Sequence, residues 1–162
     1  MKTFTDNAGR TWTVQVNVDA IKRVRDLAEV NLLEVIEGKL IERLTGDPIL
    51  LCDVIYCLCK PEADAKSISD VDFGRAMGGD AIDIATTALL EELVDFFPQA
   101  RRRVLSKALA KLNNLQARAL AAVEARLDSP EMDRQFAESL RQIESGSLSG
   151  SVPASSASIP AG

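Results

Sequence analysis

Asp47-Pro48-Ile49-Leu50-Leu51-Cys52-Asp53-Val54-Ile55-Tyr56-Cys57-Leu58-Cys59 decides how the rest of the chain is read. Asp at an N-cap followed by Pro at the first helical position is a strong helix start. From Ile49 to Cys59 every residue except Asp53 is apolar or aromatic. A helix that is apolar almost all round belongs inside a protein rather than on its face. Its eleven residues would span about 16 Å, too short for a bilayer core of about 30 Å. The stretch is therefore expected to be a central buried helix. Asp53 shares a stripe with Tyr56 and Lys60 at helical spacing, and that stripe is expected to reach water. Gly46, just before, suits the end of a preceding short helix over 37–44.

Composition narrows the chemistry. The chain has 162 residues, enough for one domain with a sizeable core. It contains no histidine, which removes His-based triads, HExxH zinc sites and the commonest proton shuttle. Its three cysteines lie together at Cys52, Cys57 and Cys59. Cys57 and Cys59 project about 200° apart on a helix and cannot converge on one ion. Neither metal nor cofactor is expected, and the thiols read as buried core groups suited to a reducing cytoplasm. The glycines fit neither GxGxxG nor GxxxxGK[ST], and no carboxylate pair stands out, so no enzymatic activity is expected. The N-terminal stretch has no apolar h-region, so no signal peptide is expected.

Outward from the central helix, the N-terminal side begins with a hairpin. Asp6-Asn7-Ala8-Gly9-Arg10 has turn chemistry. Trp12, Val14, Val16 and Val18 then alternate with polar residues, the pattern of a half-buried strand, so residues 2–18 read as a β-hairpin. Asp19 can cap a helix over 20–28 with Ile21, Val24, Leu27 and Ala28 inward. Val30 to Ile36 is ambiguous between a short strand and a helix. On the C-terminal side, residues 60–66 read as a polar connection. Ser69-Asp70-Val71-Asp72 resembles a capping box opening a short helix. After Gly78-Gly79, Asp80 can cap a helix over 81–97 that buries Ile82, Ala85, Leu89, Leu93 and Phe96. Pro98 restarts the chain as a helix from 99 to 127, about 43 Å long. A last helix follows from Ser129-Pro130 to about residue 144. Residues 145–162 are Ser, Ala, Gly and Pro in the main and are expected to be disordered. The expected fold class is mainly α, with an N-terminal β-hairpin packed on a small helical body over 1–97. A long C-terminal helix or helical hairpin occupies 98–144, and the tail 145–162.

Charge is segregated. Seven acidic residues and one basic lie between Asp70 and Asp95, and seven basic and one acidic between Arg101 and Arg126. Two neighbouring helices with complementary exposed faces would account for this, each pair contributing about 0–1 kcal/mol. Alternatively, Arg101-Arg102-Arg103 meets an acidic partner; three cations near a helix N-terminus oppose its dipole. Overall the chain carries 24 acidic and 19 basic residues, net −5, and the basic block lacks interleaved aromatics. Both facts argue against nucleic acid as the partner.

Taken together, these segments carry a family likeness. Arg10-Thr11-Trp12-Thr13-Val14 leads to Ile21-Lys22-Arg23-Val24. Gly46-Asp47-Pro48-Ile49-Leu50-Leu51 enters the apolar helix, and Ser69-Asp70-Val71-Asp72-Phe73-Gly74 precedes a helix ending Leu93-Val94-Asp95-Phe96-Phe97. Over about residues 3–97 this resembles the tail assembly chaperones of long-tailed phages and related prophages. The resemblance implies a non-virion protein, cytoplasmic in the bacterial host, that binds the helical tape measure protein while tail tube subunits assemble. The other reading is a structural particle protein, a connector or scaffold component. After Pro98 the chain departs from the family pattern.

Partner contacts are expected on that departing segment. Leu105, Leu109, Leu112, Ala119 and Val123 form a stripe longer than the body's helices can cover, widened by Leu115, Leu120 and Leu127. With Arg101, Arg102 and Arg103 it is the candidate surface for a tape measure or tail tube protein, or for another copy of the chain. No membrane contact is expected. The alternative is that the last helix folds back and covers the stripe.

The central-helix reading is tested by truncation. Leu51→Ala and Ile55→Ala should each lower urea-unfolding stability by about 2–5 kcal/mol, as core deletions do. Losses below about 0.5 kcal/mol at both positions, the range of surface changes, would remove the helix from the core.

Overall fold

The computed structural model describes residues 1–147. Two strands, β1 (Lys2–Thr5) and β2 (Thr11–Val14), precede seven α-helices: α1 (Val18–Ala28), α2 (Lys39–Gly46), α3 (Pro48–Ala65), α4 (Asp70–Arg75), α5 (Asp80–Phe96), α6 (Gln99–Leu127) and α7 (Pro130–Ser147). Met1–Lys111 forms one compact unit and a second begins at Leu112, so α6 contributes residues to each. The disordered tail expected over 145–162 lies outside the described residues from 148 onward. Residues 145–147 continue α7 instead.

In the first unit α3 is the hub. It packs on α1, α2, α4, α5 and β2. Leu51, Val54, Ile55, Cys57, Leu58 and Cys59 are all buried, while Asp53 is exposed and Tyr56 and Lys60 half-buried. Ile49, expected inside, is 76% exposed because the first turn of α3 extends past its neighbours. Asp47 serves two helices. Its N–H closes α2 on the Arg43 carbonyl at 3.0 Å, and its Oδ1 caps α3 by accepting the Ile49 and Leu50 N–H groups at 3.0 and 3.1 Å.

The sequence reading ended this helix at Cys59, with a polar connection after it. In the structure α3 runs on through Pro61 to Ala65. A proline inside a helix leaves the carbonyl four residues earlier without its donor. That carbonyl belongs to Cys57. Arg23, reaching over from α1, donates Nη1 to Cys57 O at 3.1 Å and to Leu58 O at 3.3 Å. The guanidinium supplies the donor that Pro61 lacks, so the helix survives.

The hairpin is antiparallel with Phe4 opposite Trp12. Its loop is a three-residue connection in which Gly9 N–H bonds to Asp6 O at 2.9 Å and Asp6 N–H to Arg10 O at 2.9 Å. Gly9 has φ 76°, the left-handed region that this loop requires. The outer edge of β2 is closed by α3 and the residue beyond it. Glu62 Oε2 accepts the Thr13 N–H at 2.9 Å, the Cys59 thiol donates to Thr13 O at 3.5 Å, and Lys66 Nζ donates to Thr11 O at 3.0 Å. An edge satisfied by side chains cannot template a further strand.

Several other expectations shift by a residue or a face. Val18 is 60% exposed because it opens α1 instead of ending the strand. Asn17, not Asp19, caps α1, its Oδ1 accepting Ala20 N–H at 2.8 Å; Asp19 pairs with Arg23. Leu27 is 55% exposed, and Ala28 half-buried, where the end of α1 passes beyond its neighbours. Leu32–Glu37 is a 3₁₀ helix, not a strand, ended by Gly38 at φ 80°. Gly79, not Asp80, stands at the start of α5. Along α5, Ala81, Ala85, Ala88, Leu89, Leu90 and Leu93 are buried, Ile82 and Phe96 are half-buried, and Phe97 takes the inner position expected of Phe96.

Two carboxylates are buried, Asp6 and Glu92. Glu92 accepts a long bond of 3.4 Å from Val16 N–H, and its Oε1 pairs with the Met1 amino group outside hydrogen-bonding geometry. Asp6 is fully partnered. Its Oδ1 accepts the Ala8 and Arg10 N–H groups at 3.0 and 2.9 Å, and its Oδ2 accepts Arg10 Nε at 2.7 Å and Trp12 Nε1 at 2.8 Å. Burial pushes the Asp6 carboxyl up, but the bonds from Trp12 and Arg10 outweigh it and hold the group below its ordinary 3.8. A lowered pKa in the folded state stabilises the fold above the ordinary value, and that stabilisation is lost as pH falls through the lowered one. Asp6→Ala, which strands Trp12 and Arg10, should cost about 3–5 kcal/mol at neutral pH in urea unfolding followed by Trp12 fluorescence. Asp6→Asn should flatten the stability loss below pH 3.8; an unchanged acid limb would show that other groups govern it.

Candidate partner-binding surface

The candidate residues all lie on α6, and its periodicity explains why the helix forms. Between Gln99 and Leu127 there is no Gly or Pro, and leucine and alanine dominate the positions between charges. Arg102 anchors the first turn, donating Nη2 to the Asp95 carbonyl at 2.7 Å, with its Nε 3.9 Å from the Asp95 carboxylate. The acidic end of α5 and the basic start of α6 therefore meet at one contact. Arg101 and Arg103 are exposed, as is Val104 at 68%.

The stripe divides along its length. Leu105 is buried, and Leu109 and Leu112 are half-buried. Beyond them the helix is open: Leu115 is 54% exposed, Leu120 62%, Val123 54% and Leu127 52%. The structure thus does not gather the seven candidate residues into one site. Arg102 and Val123 are separated by about 31 Å of helix. Leu105 belongs to the core of the first unit and is not available to a partner. Leu112 and Val123 remain on accessible surface of the second.

A further apolar face lies on α7, outside the candidate residues. On α7, Met132 is half-buried, while Phe136, Leu140 and Ile143 are 60%, 61% and 69% exposed. All four fall within about 80° of arc on a 3.6-residue helix. Helical spacing puts the four on one side of the helix; what the sequence does not show is that this side is left open. α7 does not cover the α6 stripe in the described residues. Ser129 ends one helix and starts the other, its Oγ donating to Arg126 O at 2.7 Å and its carbonyl accepting Met132 N–H at 3.0 Å.

Elsewhere the chemistry is quiet. Among the described residues no group of three or more His, Cys, Asp or Glu could hold a metal ion, and no helix is long and apolar enough to cross a membrane. Burial pushes the Cys59 thiol up to about 12, and burial followed by the Asp53 charge raises Cys52 and Cys57. Thiols held above the ordinary range are poor nucleophiles near neutrality. A thiol reagent at neutral pH should modify half-buried Cys52 first and reach Cys57 and Cys59 only as fast as the first unit opens. Rapid labelling of Cys59, read by peptide mass spectrometry, would show that α3 opens locally. No protein-family model, curated protein or solved structure matches this chain.

Proposed function

We propose that the chain is a non-enzymatic assembly protein that holds a helical segment of a larger protein. In the reading that fits its sequence resemblance, it is a tail assembly chaperone whose client is the tape measure protein, acting in the cytoplasm of a bacterial host. One observation carries the reading. Seven large apolar side chains on α6 and α7, from Leu115 to Ile143, are each more than half exposed. Contiguous apolar surface on helices is the usual signature of a site for another helix. The basic residues Arg101 and Arg103 stand exposed near the start of α6 and would favour an acidic partner by speeding encounter. The first unit, in this reading, is the folded support that keeps an otherwise sticky pair of helices soluble.

Co-expression with the tape measure protein of the same phage or prophage tests this. The client should stay soluble and co-purify with the wild-type chain. With Leu120→Ser and Val123→Ser it should aggregate, while the hairpin's Trp12 fluorescence stays unchanged. A client that is equally soluble without the chain, or with that variant, would overturn the proposal. Recovery of the polypeptide in purified mature particles would instead make it a structural component.

A further inference from the structure

The two open faces of the second unit match each other. From Leu112 onward α6 presents Leu112, Leu115, Ala119 and Val123, at intervals of three, four and four. α7 presents Met132, Phe136, Leu140 and Ile143, at intervals of four, four and three. Run antiparallel, the two ladders stay in step at every rung: Leu112 with Ile143, Leu115 with Leu140, Ala119 with Phe136, Val123 with Met132. Matched spacing of this kind is what lets side chains of two helices interdigitate.

Within one chain the match is not used, since Leu115, Val123, Phe136, Leu140 and Ile143 are all more than half exposed. The connection between the two helices is short. Asp128 N–H still bonds to Glu124 O at 3.0 Å, and the Ser129 carbonyl already accepts Met132 and Asp133 N–H at 3.0 and 3.2 Å. The connection is thus two residues long, each bonded into the helix beside it.

We propose that a second copy of this chain covers these faces, α6 of one protomer lying antiparallel to α7 of its partner, and the reverse across a two-fold axis. Charge favours this pairing. Over the paired segment from Leu112 to Leu127 α6 carries two basic residues, Arg118 and Arg126, and one acidic, Glu124, whereas α7 carries four acidic and two basic. Pairing α7 with α7 brings its acidic excess together, whereas pairing α6 with α7 sets that excess against a net positive segment. A two-fold arrangement satisfies both faces at once and closes on itself, so it makes a dimer and not a filament. The proposal does not rest on the chaperone reading. If that reading holds, the same contact keeps the apolar faces covered until a client displaces one copy.

Sedimentation equilibrium of the full chain is the test. The wild type should be a dimer in reversible equilibrium with monomer. Phe136→Asp with Leu140→Asp on α7, and separately Leu115→Asp with Val123→Asp on α6, should each raise the dissociation constant more than about 30-fold, the scale of losing a central interface anchor. Melting of the first unit, followed by Trp12 fluorescence, should be unchanged in both, which separates lost association from misfolding. A wild type that stays monomeric at its highest soluble concentration overturns the proposal. So does a dimer broken by the α6 changes alone, since that would be α6 pairing with itself. Only one polypeptide is present, so failure of client capture leaves this result untouched.

Discussion

The Asp6 carboxylate is the contact on which the first unit depends. Burying a charge is costly unless hydrogen bonds replace its water. Here four donors do so, two from the backbone of the turn and two from the side chains of Arg10 and Trp12. One group therefore fixes the loop, the register and the orientation of the indole. Arg10 carries the constraint further, its Nη2 donating to Asp72 O at 3.0 Å on α4. With Trp12 held, Phe73 seats against it at 5.0 Å between centroids, and also meets Phe4 at 6.4 Å and Tyr56 at 5.4 Å. The hairpin, α4 and α3 thus share one aromatic cluster. A two-stranded hairpin is marginal in water, and this cluster is what makes it part of a core.

α3 is held by a comparable exchange. Its sequence includes a proline that would ordinarily break it, and the missing donor comes from Arg23 on another helix. The turn gained by continuing past Pro61 places Glu62 under the edge of β2, with Lys66 just beyond the helix end. Burial pushes the Glu62 carboxyl up, but bonds from Lys66 and Thr13 hold it below its ordinary value. Lys66 also stands 4.8 Å from the Trp12 ring centroid, a cation–π distance. Arg23 supports the helix past Pro61, and the residues gained there, Glu62 and Lys66, meet the edge of β2.

The second unit contrasts with the first. The first unit buries the side chains its periodicity marks as inward, apart from positions at helix ends. The second leaves its periodic apolar residues in water on both helices. Exposure on this scale carries a free-energy cost of about 25 cal/mol per Å² of apolar surface, which association removes.

Local pattern alone determined much of this protein. The Asp-Pro start and apolar run of α3, the alternation around Trp12, the Ser69 cap with its bond to Asp72 N–H at 3.1 Å, and the unbroken run of α6 all follow from short-range chemistry. Tertiary structure decided the rest. Propensity ended α3 at the proline, because Arg23 lies 34 residues from the carbonyl it satisfies. Asp6 read as a turn residue, because the indole that buries it only arrives once the strands pair. Glu92 carried no mark in the sequence, because nothing in a helical pattern announces a carboxylate turned toward a hairpin. On α6 the stripe was visible as a stripe, yet Leu105 is core and Val123 is not. Periodicity specifies which side of a helix is apolar; what covers that side depends on where other segments end, which is a property of the assembled chain.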